Sequence, residues 1–131
     1  MKIKEQAAKY FAEGKYNCCQ AVICAYCDEY GIDDQEIFKL TEGFGLGMGG
    51  LKDTCGAVTG MFMAIGMHHS AGDKQDPRKT KMETYEAIRT AAAEFERAKS
   101  SIYCEDLKRE KVSCQECVEF AAEYVEKYIL K

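Results

Sequence analysis

Residues 43–60, GFGLGMGGLKDTCGAVTG, place seven glycines in 18 consecutive positions. Glycine adopts backbone conformations that other residues avoid, and it weakens the interior of helices and strands. Regular structure therefore cannot run unbroken through the middle of this 131-residue chain. The stretch reads as a compact glycine-rich loop that delivers Cys55 to the start of a helix. Gly45, Gly47 and Gly50 also satisfy the written form of a dinucleotide fingerprint. That fingerprint works only between a strand and a helix, where the backbone approaches a pyrophosphate. Here the preceding residues, DDQEIFKLTEGF, read as helix, no second strand is visible, and the Gly-Lys-Ser/Thr ending of a phosphate loop is missing. Nucleotide binding is not expected.

Outside that stretch the apolar spacing is helical throughout. Ile3, Ala7, Tyr10 and Phe11 repeat at helical intervals up to Gly14. Asn17 suits an N-cap for a helix over 18–30 that ends at Gly31, and Asp33 with Glu36 suggests a capping box for a helix over 34–41. Asp53 or Thr54 would cap a helix to about residue 67. Asp76-Pro77 predicts the start of a long helix to about residue 99, since proline suits the first helical position. Ser101 would cap a short helix carrying Cys104 and Leu107. Ser113 with Glu116 predicts a capping box for a last helix reaching Ile129. No segment alternates with a period of two. The expected fold is all-α: one domain, residues 1–131, a compact bundle of four to six helices with the glycine-rich loop before the Cys55 helix. The long helix is amphipathic enough to pair with a second copy, so a homodimer is a further expectation.

The net charge is −4, and no basic stripe with interleaved aromatics appears, so nucleic acid is not an expected partner. The N-terminal residues are charged and carry no apolar run of the secretory kind. The uncharged stretch 54–67 falls short of the about 20 apolar residues that a membrane span needs. A cytoplasmic setting is expected. In such a reducing compartment eight cysteines read better as metal ligands or redox groups than as structural disulfides.

The cysteines share a setting. Cys18 follows Asn17, Cys55 follows Asp53 and Thr54, Cys104 lies three residues after Ser101, and Cys114 and Cys117 follow Ser113. Each falls at or beside a predicted first helical turn. Free N–H groups and the positive end of the helix dipole there favour thiolate over thiol. By helical facing, Cys18, Cys55 and Cys117 point inward. Cys24-x-x-Cys27 lies mid-helix, where the spacing is a weak signal, and both cysteines read best as small buried apolar residues. His68 and His69 close the Cys55 helix and read as surface or capping residues. Met61, Met63 and Met67 read as gap-filling core residues rather than a soft-metal site.

Four segments together resemble the C_GCAxxG_C_C family of redox-active proteins: GKYNCCQAV, GGLKDTCGAVTG, CEDL and CVEFAAEYV. The resemblance implies a signature of four cysteines, which falls on Cys18, Cys55, Cys104 and Cys117. Cys19 competes for the first position and Cys114 for the last. Cys24 and Cys27 are additional.

Four inward sulfurs from four helix starts match the ligand count of an iron–sulfur cluster or a tetrahedral zinc. The leading expectation is an electron-transfer site on Cys18, Cys55, Cys104 and Cys117 that holds such a cluster or another thiophilic metal. A second is metal-free thiol–disulfide exchange, with Cys55 or Cys117 as the attacking sulfur. A third is a non-enzymatic binding module with structural thiols or zinc. The partner for either redox version would be a redox protein or a small oxidant or reductant.

Overall fold

The structure is a computed structural model and describes residues 2–129. Among them are eight α-helices: α1 (Lys2–Ala12), α2 (Cys18–Glu29), α3 (Gln35–Leu40), α4 (Gly45–Met48), α5 (Gly56–His69), α6 (Lys81–Lys99), α7 (Cys104–Arg109) and α8 (Cys114–Ile129). The count exceeds the expected four to six because α3, α4 and α7 are pieces of one or two turns between the five longer helices. The segment before Cys55 is also more ordered than a plain loop. It contains a 3-10 turn at Glu42–Phe44 and the single turn α4 before an irregular passage into α5. No described helix is long and apolar enough to cross a membrane.

Helix α2 forms the centre. Every residue from Cys18 to Cys27 is buried, as expected of a helix that is apolar on all sides. It packs against α5, α1 and α8, and α5 also packs on α8 and α6. Val22, Ile23, Val58, Met61, Ile65, Phe95, Val118 and Val125 fill the interior. The α1 start is held from across the bundle, where the buried Glu126 carboxylate accepts from the N–H groups of Ile3 (2.8 Å) and Lys4 (3.2 Å).

Two of the expected caps form as capping boxes. At α2 the Asn17 side chain accepts from Gln20 N–H, and the Gln20 side chain accepts from Asn17 N–H, both at 2.9 Å. At α8 Glu116 N–H donates to Ser113 Oγ (3.0 Å), and Ser113 N–H donates to Glu116 Oε1 (3.1 Å). The long helix starts later than Pro77 suggests. Asp73 Oδ1 accepts from Gln75 and Asp76 N–H and closes a turn there, so the helix begins only at Lys81.

The α2–α5 contact explains why small residues open α5. A Cβ on Gly56 would lie 2.8 Å from the Phe44 carbonyl oxygen and 3.2 Å from Cys18 Cβ. One on Gly60 would lie 2.8 Å from the Cys19 carbonyl oxygen. A side chain at Gly60 requires the first turn of α2 to move away, and one at Gly56 requires the Phe44 backbone to move as well. These glycines set how closely the Cys18 turn and the Cys55 turn meet.

Candidate thiol site

Five cysteines come together at one end of the bundle, each delivered by a helix start. Cys18 is the first residue of α2, Cys55 is the N-cap of α5, and Cys104 opens α7. Cys114 opens α8 and Cys117 stands one turn further along it. Two strand-like segments bind the middle pair. Thr54 and Tyr103 form an isolated antiparallel bridge. Around it, Cys55 N–H donates to Ile102 O (2.8 Å), Cys104 N–H to Asp53 O (2.7 Å) and Glu105 N–H to Lys52 O (3.2 Å). Residues about fifty apart in sequence are thereby fixed side by side.

Gly47 makes room for this junction. Its φ is +66°, and a Cβ there would sit 2.7 Å from Cys104 Cβ and 2.7 Å from Lys52 Cα. Leu46, Met48 and Lys52 also adopt left-handed backbone, at φ of 53°, 71° and 59°. Such residues cost of order 1 kcal/mol or more each and persist where surrounding contacts hold them. Here the hold comes from Lys52 N–H to Leu46 O (3.3 Å) and Asp53 N–H to Gly47 O (3.0 Å). The strain is concentrated in the segment that presents Lys52 and Cys55.

The sulfurs fall into two interacting pairs. In the first, the Cys18 thiol as donor is the strongest influence on Cys114, and with Lys108 it brings that thiol down to about 6 against the opposing effect of burial. Cys18 keeps its proton. Its pKa is raised, first by the interaction with Cys114 and then by burial. In the second, Cys117 as donor lowers Cys55, and the backbone N–H groups of Ala57 and Val58 at the start of α5 add to this. Cys117 is raised by that interaction and by burial. In each pair one thiol is lowered and its partner raised, with Cys114 and Cys55 the lowered members.

Cys104 feels one sulfur of each pair, Cys55 and Cys114. Burial raises it, while Lys108 and Lys52 pull the other way. Lys108 Nζ lies 4.0 Å from Cys114 Sγ, and Lys99 acts on Cys117. Seven of the eight cysteines are buried, and Cys114 is the partly exposed one. All eight are free thiols. Among the described residues no group of three or more His, Cys, Asp or Glu side chains is placed to hold a metal ion.

A model for the family described as "Putative redox-active protein (C_GCAxxG_C_C)" matches residues 16–128. The chain belongs to the C_GCAxxG_C_C family. No curated protein and no solved structure matched the chain. The family pattern now has a physical reading in this chain. In Cys55-Gly56-Ala57-Val58-Thr59-Gly60 the glycines are the places where α2 touches α5, and the cysteine caps α5.

The other sequence candidates lie elsewhere. Cys19 is buried with its sulfur 3.9 Å from Met63 Sδ. Burial pushes it up to about 12, and of the five clustered sulfurs it is Cys55 that acts on it. Cys24 and Cys27 lie further along α2, where Asp34 and Asp28 adjoin them. His68 and His69 end α5, roughly 20 Å from its start at 1.5 Å rise per residue. His68 Nδ1 sits 3.4 Å from the Tyr26 hydroxyl among Tyr30 and Tyr128, and His69 Nδ1 sits 2.9 Å from Thr84 Oγ1. Sequence reasoning missed Lys52 and Lys108. A basic residue three or four positions into a helix that a cysteine opens (Cys104 to Lys108) was the available signal.

Proposed function

We propose that this C_GCAxxG_C_C protein is a metal-free thiol–disulfide redox protein whose working groups are Cys18, Cys55, Cys104, Cys114 and Cys117. The observation that carries the reading is the gathering of these sulfurs by helix starts at one end of the bundle, where four of them act on one another in two pairs, one member lowered and the other raised. Exchange needs that combination: a thiolate to attack and a neighbouring sulfur to resolve the mixed disulfide. Cys55 keeps the attacking role expected of it, and Cys117 becomes its resolving partner. In a reducing, cytoplasmic setting the resting form is the dithiol.

A redox titration tests this. Anaerobically reduced protein, taken through a series of thiol/disulfide buffers, should lose four thiols reversibly, and Cys24 and Cys27 should stay reduced. A thiol count that does not change across the series ends the reading.

A second reading keeps Cys18, Cys55, Cys104 and Cys117 as ligands for an iron–sulfur cluster or zinc. In its favour, sulfurs from α2, α5, α7 and α8 gather at one end of the bundle, and the Ala57 and Val58 N–H groups act on Cys55. It requires the sulfurs to rearrange from pairs into a shared shell. Metal and sulfide analysis of anaerobically purified protein separates the readings. Stoichiometric iron and sulfide, with bands that bleach on reduction, would favour the cluster.

A further inference from the structure

Two pairs placed together pose a question that one pair would not: which of them meets the substrate. Cys18, Cys55 and Cys117 are 6 %, 6 % and 2 % exposed, whereas Cys114 is the partly exposed sulfur. Its α8 start faces Lys108 across the α7–α8 turn at 4.0 Å. Among the described residues neither Lys108 nor Lys52 makes an ion pair, and two of the nearby acids are engaged elsewhere. Asp106 binds Arg109 (2.7 Å), and Glu116 approaches Lys99 (4.0 Å) and caps α8. Cys18, buried at the start of α2, interacts with Cys114 and also feels Cys55 and Cys117.

Building on the thiol-exchange reading, we propose that Cys114 is the port of a two-pair sulfur relay. Cys114 and Cys18 exchange with small anionic disulfides, and Cys55 and Cys117 receive the disulfide from them. The family signature carries one cysteine in the last segment. Cys114 is the sulfur that competes with Cys117 there, and the two have separate tasks.

The chemistry closes. The Cys114 thiolate attacks one sulfur of the substrate R–S–S–R, forms a mixed disulfide and releases one thiolate, RS⁻. Cys18 then attacks Cys114 Sγ and releases the second R–S group, which leaves with the Cys18 proton as RSH. The protein loses two electrons to the substrate, and a Cys18–Cys114 disulfide remains. Next the Cys55 thiolate attacks the Cys18 sulfur and displaces the Cys114 thiolate. Cys117 attacks Cys55, expels Cys18, and its proton passes to Cys18. A Cys55–Cys117 disulfide is left, and the outer pair returns to one thiol and one thiolate. Free lysine charge favours a substrate bearing carboxylates. The partial exposure of Cys114 favours a small molecule over a protein loop.

The test uses reduced full-length protein, with oxidised glutathione as the anionic disulfide, cystamine as the cationic one, and peptide mass spectrometry to map disulfides with time. In Cys117→Ser the disulfide should stay on Cys18, as Cys18–Cys114 in exchange with Cys18–Cys55. In wild type that bridge should appear first and give way to Cys55–Cys117. Cys114→Ser should react with oxidised glutathione at least roughly tenfold more slowly, while diamide still closes Cys55–Cys117 in it. Added salt should slow the glutathione reaction and leave the cystamine reaction unslowed. A Cys114→Ser variant that reacts at the wild-type rate overturns the port assignment but leaves the thiol-exchange reading standing. So does a first bridge at Cys55–Cys117, or a cystamine reaction as sensitive to salt as that of glutathione. If diamide closes no reversible disulfide in wild type, the thiol-exchange reading itself falls.

Discussion

The chain contains the spacing Cys-x-x-Cys twice, and the two copies have opposite surroundings. Cys24 and Cys27 lie inside α2, where the backbone N–H groups already serve the helix. Burial, with Asp34 and Asp28 beside them, pushes their thiols up to about 12 and about 11. Asp28 is itself held by the Tyr10 hydroxyl. Cys114 and Cys117 lie in the first turn of α8, and lysines rather than carboxylates act on them. Spacing alone therefore says little about a cysteine pair. Position along the helix and nearby charge contribute, but the sulfur partner comes first: the Cys18 interaction lowers Cys114, whereas the Cys55 interaction and burial raise Cys117 on the same helix.

The widest separation between the two regions should appear in alkylation. At pH 7 a thiol with a pKa near 6 is about nine-tenths ionised, and one near 11 is ionised to about one part in 10⁴. Iodoacetamide should modify Cys114 at least about 10³-fold faster than Cys24 or Cys27, and burial of the latter widens the gap. The Cys114 rate should rise through pH of about 6 and then level. Stability carries the same signs. The depressed Cys114 contributes stability that is complete above its ordinary value of 9.0 and fades as pH falls through about 6. The raised Cys24 and Cys27 contribute below 9.0 and lose their contribution as pH rises through about 11 to 12. Labelling of Cys24 or Cys27 at the Cys114 rate would erase the distinction.

Close approach of α2 and α5 brings one region into being, and paired glycine substitutions can probe it. Gly56→Ala puts a methyl group against Phe44 O and Cys18, and overpacking of this kind costs about 1–3 kcal/mol. Gly66, in the same helix, has nothing within 4 Å of its added Cβ. Gly66→Ala should instead stabilise by up to about 1 kcal/mol through helix propensity. Urea unfolding of both variants gives the comparison. Equal effects would mean that the first turns of α2 and α5 are not in register.

Much of this was legible in the sequence, and for identifiable reasons. Capping boxes are local, so Asn17 with Gln20 and Ser113 with Glu116 can be read from a few residues. The all-helical class follows from periodicity, and the helix starts predicted for the cysteines follow from the caps. What could not be read is long-range. The bridge between Thr54 and Tyr103 depends on two irregular segments meeting, and no periodic pattern announces it. The division of sulfurs into pairs depends on the rotation of α8 against α2 and α5, which places Cys114 beside Cys18 and Cys117 beside Cys55. Pro77 misled because a side-chain turn at Asp73 outweighed the preference of proline for a helix start. The glycine stretch was read as a compact irregular loop. Its ordered turns escaped notice because left-handed leucine, methionine and lysine are rare.

The smallest expected effect concerns Lys108. Its ammonium lies 4.0 Å from Cys114 Sγ at a partly exposed position, where an attraction of about 1 kcal/mol applies in water-like surroundings. That corresponds to about 0.7 pKa unit. Lys108→Gln should therefore raise the midpoint of Cys114 alkylation by at most about that much, and 1 M salt should move the wild-type midpoint in the same direction. Cys18 is the larger influence on Cys114, its interaction being the first cause of the lowered pKa. Cys18→Ala should consequently move the midpoint upward by more than Lys108→Gln does. The reverse order would make the lysine rather than the sulfur partner the main source of the Cys114 thiolate. The lysines would then account for the contrast with Cys24 and Cys27 without any pairing of cysteines.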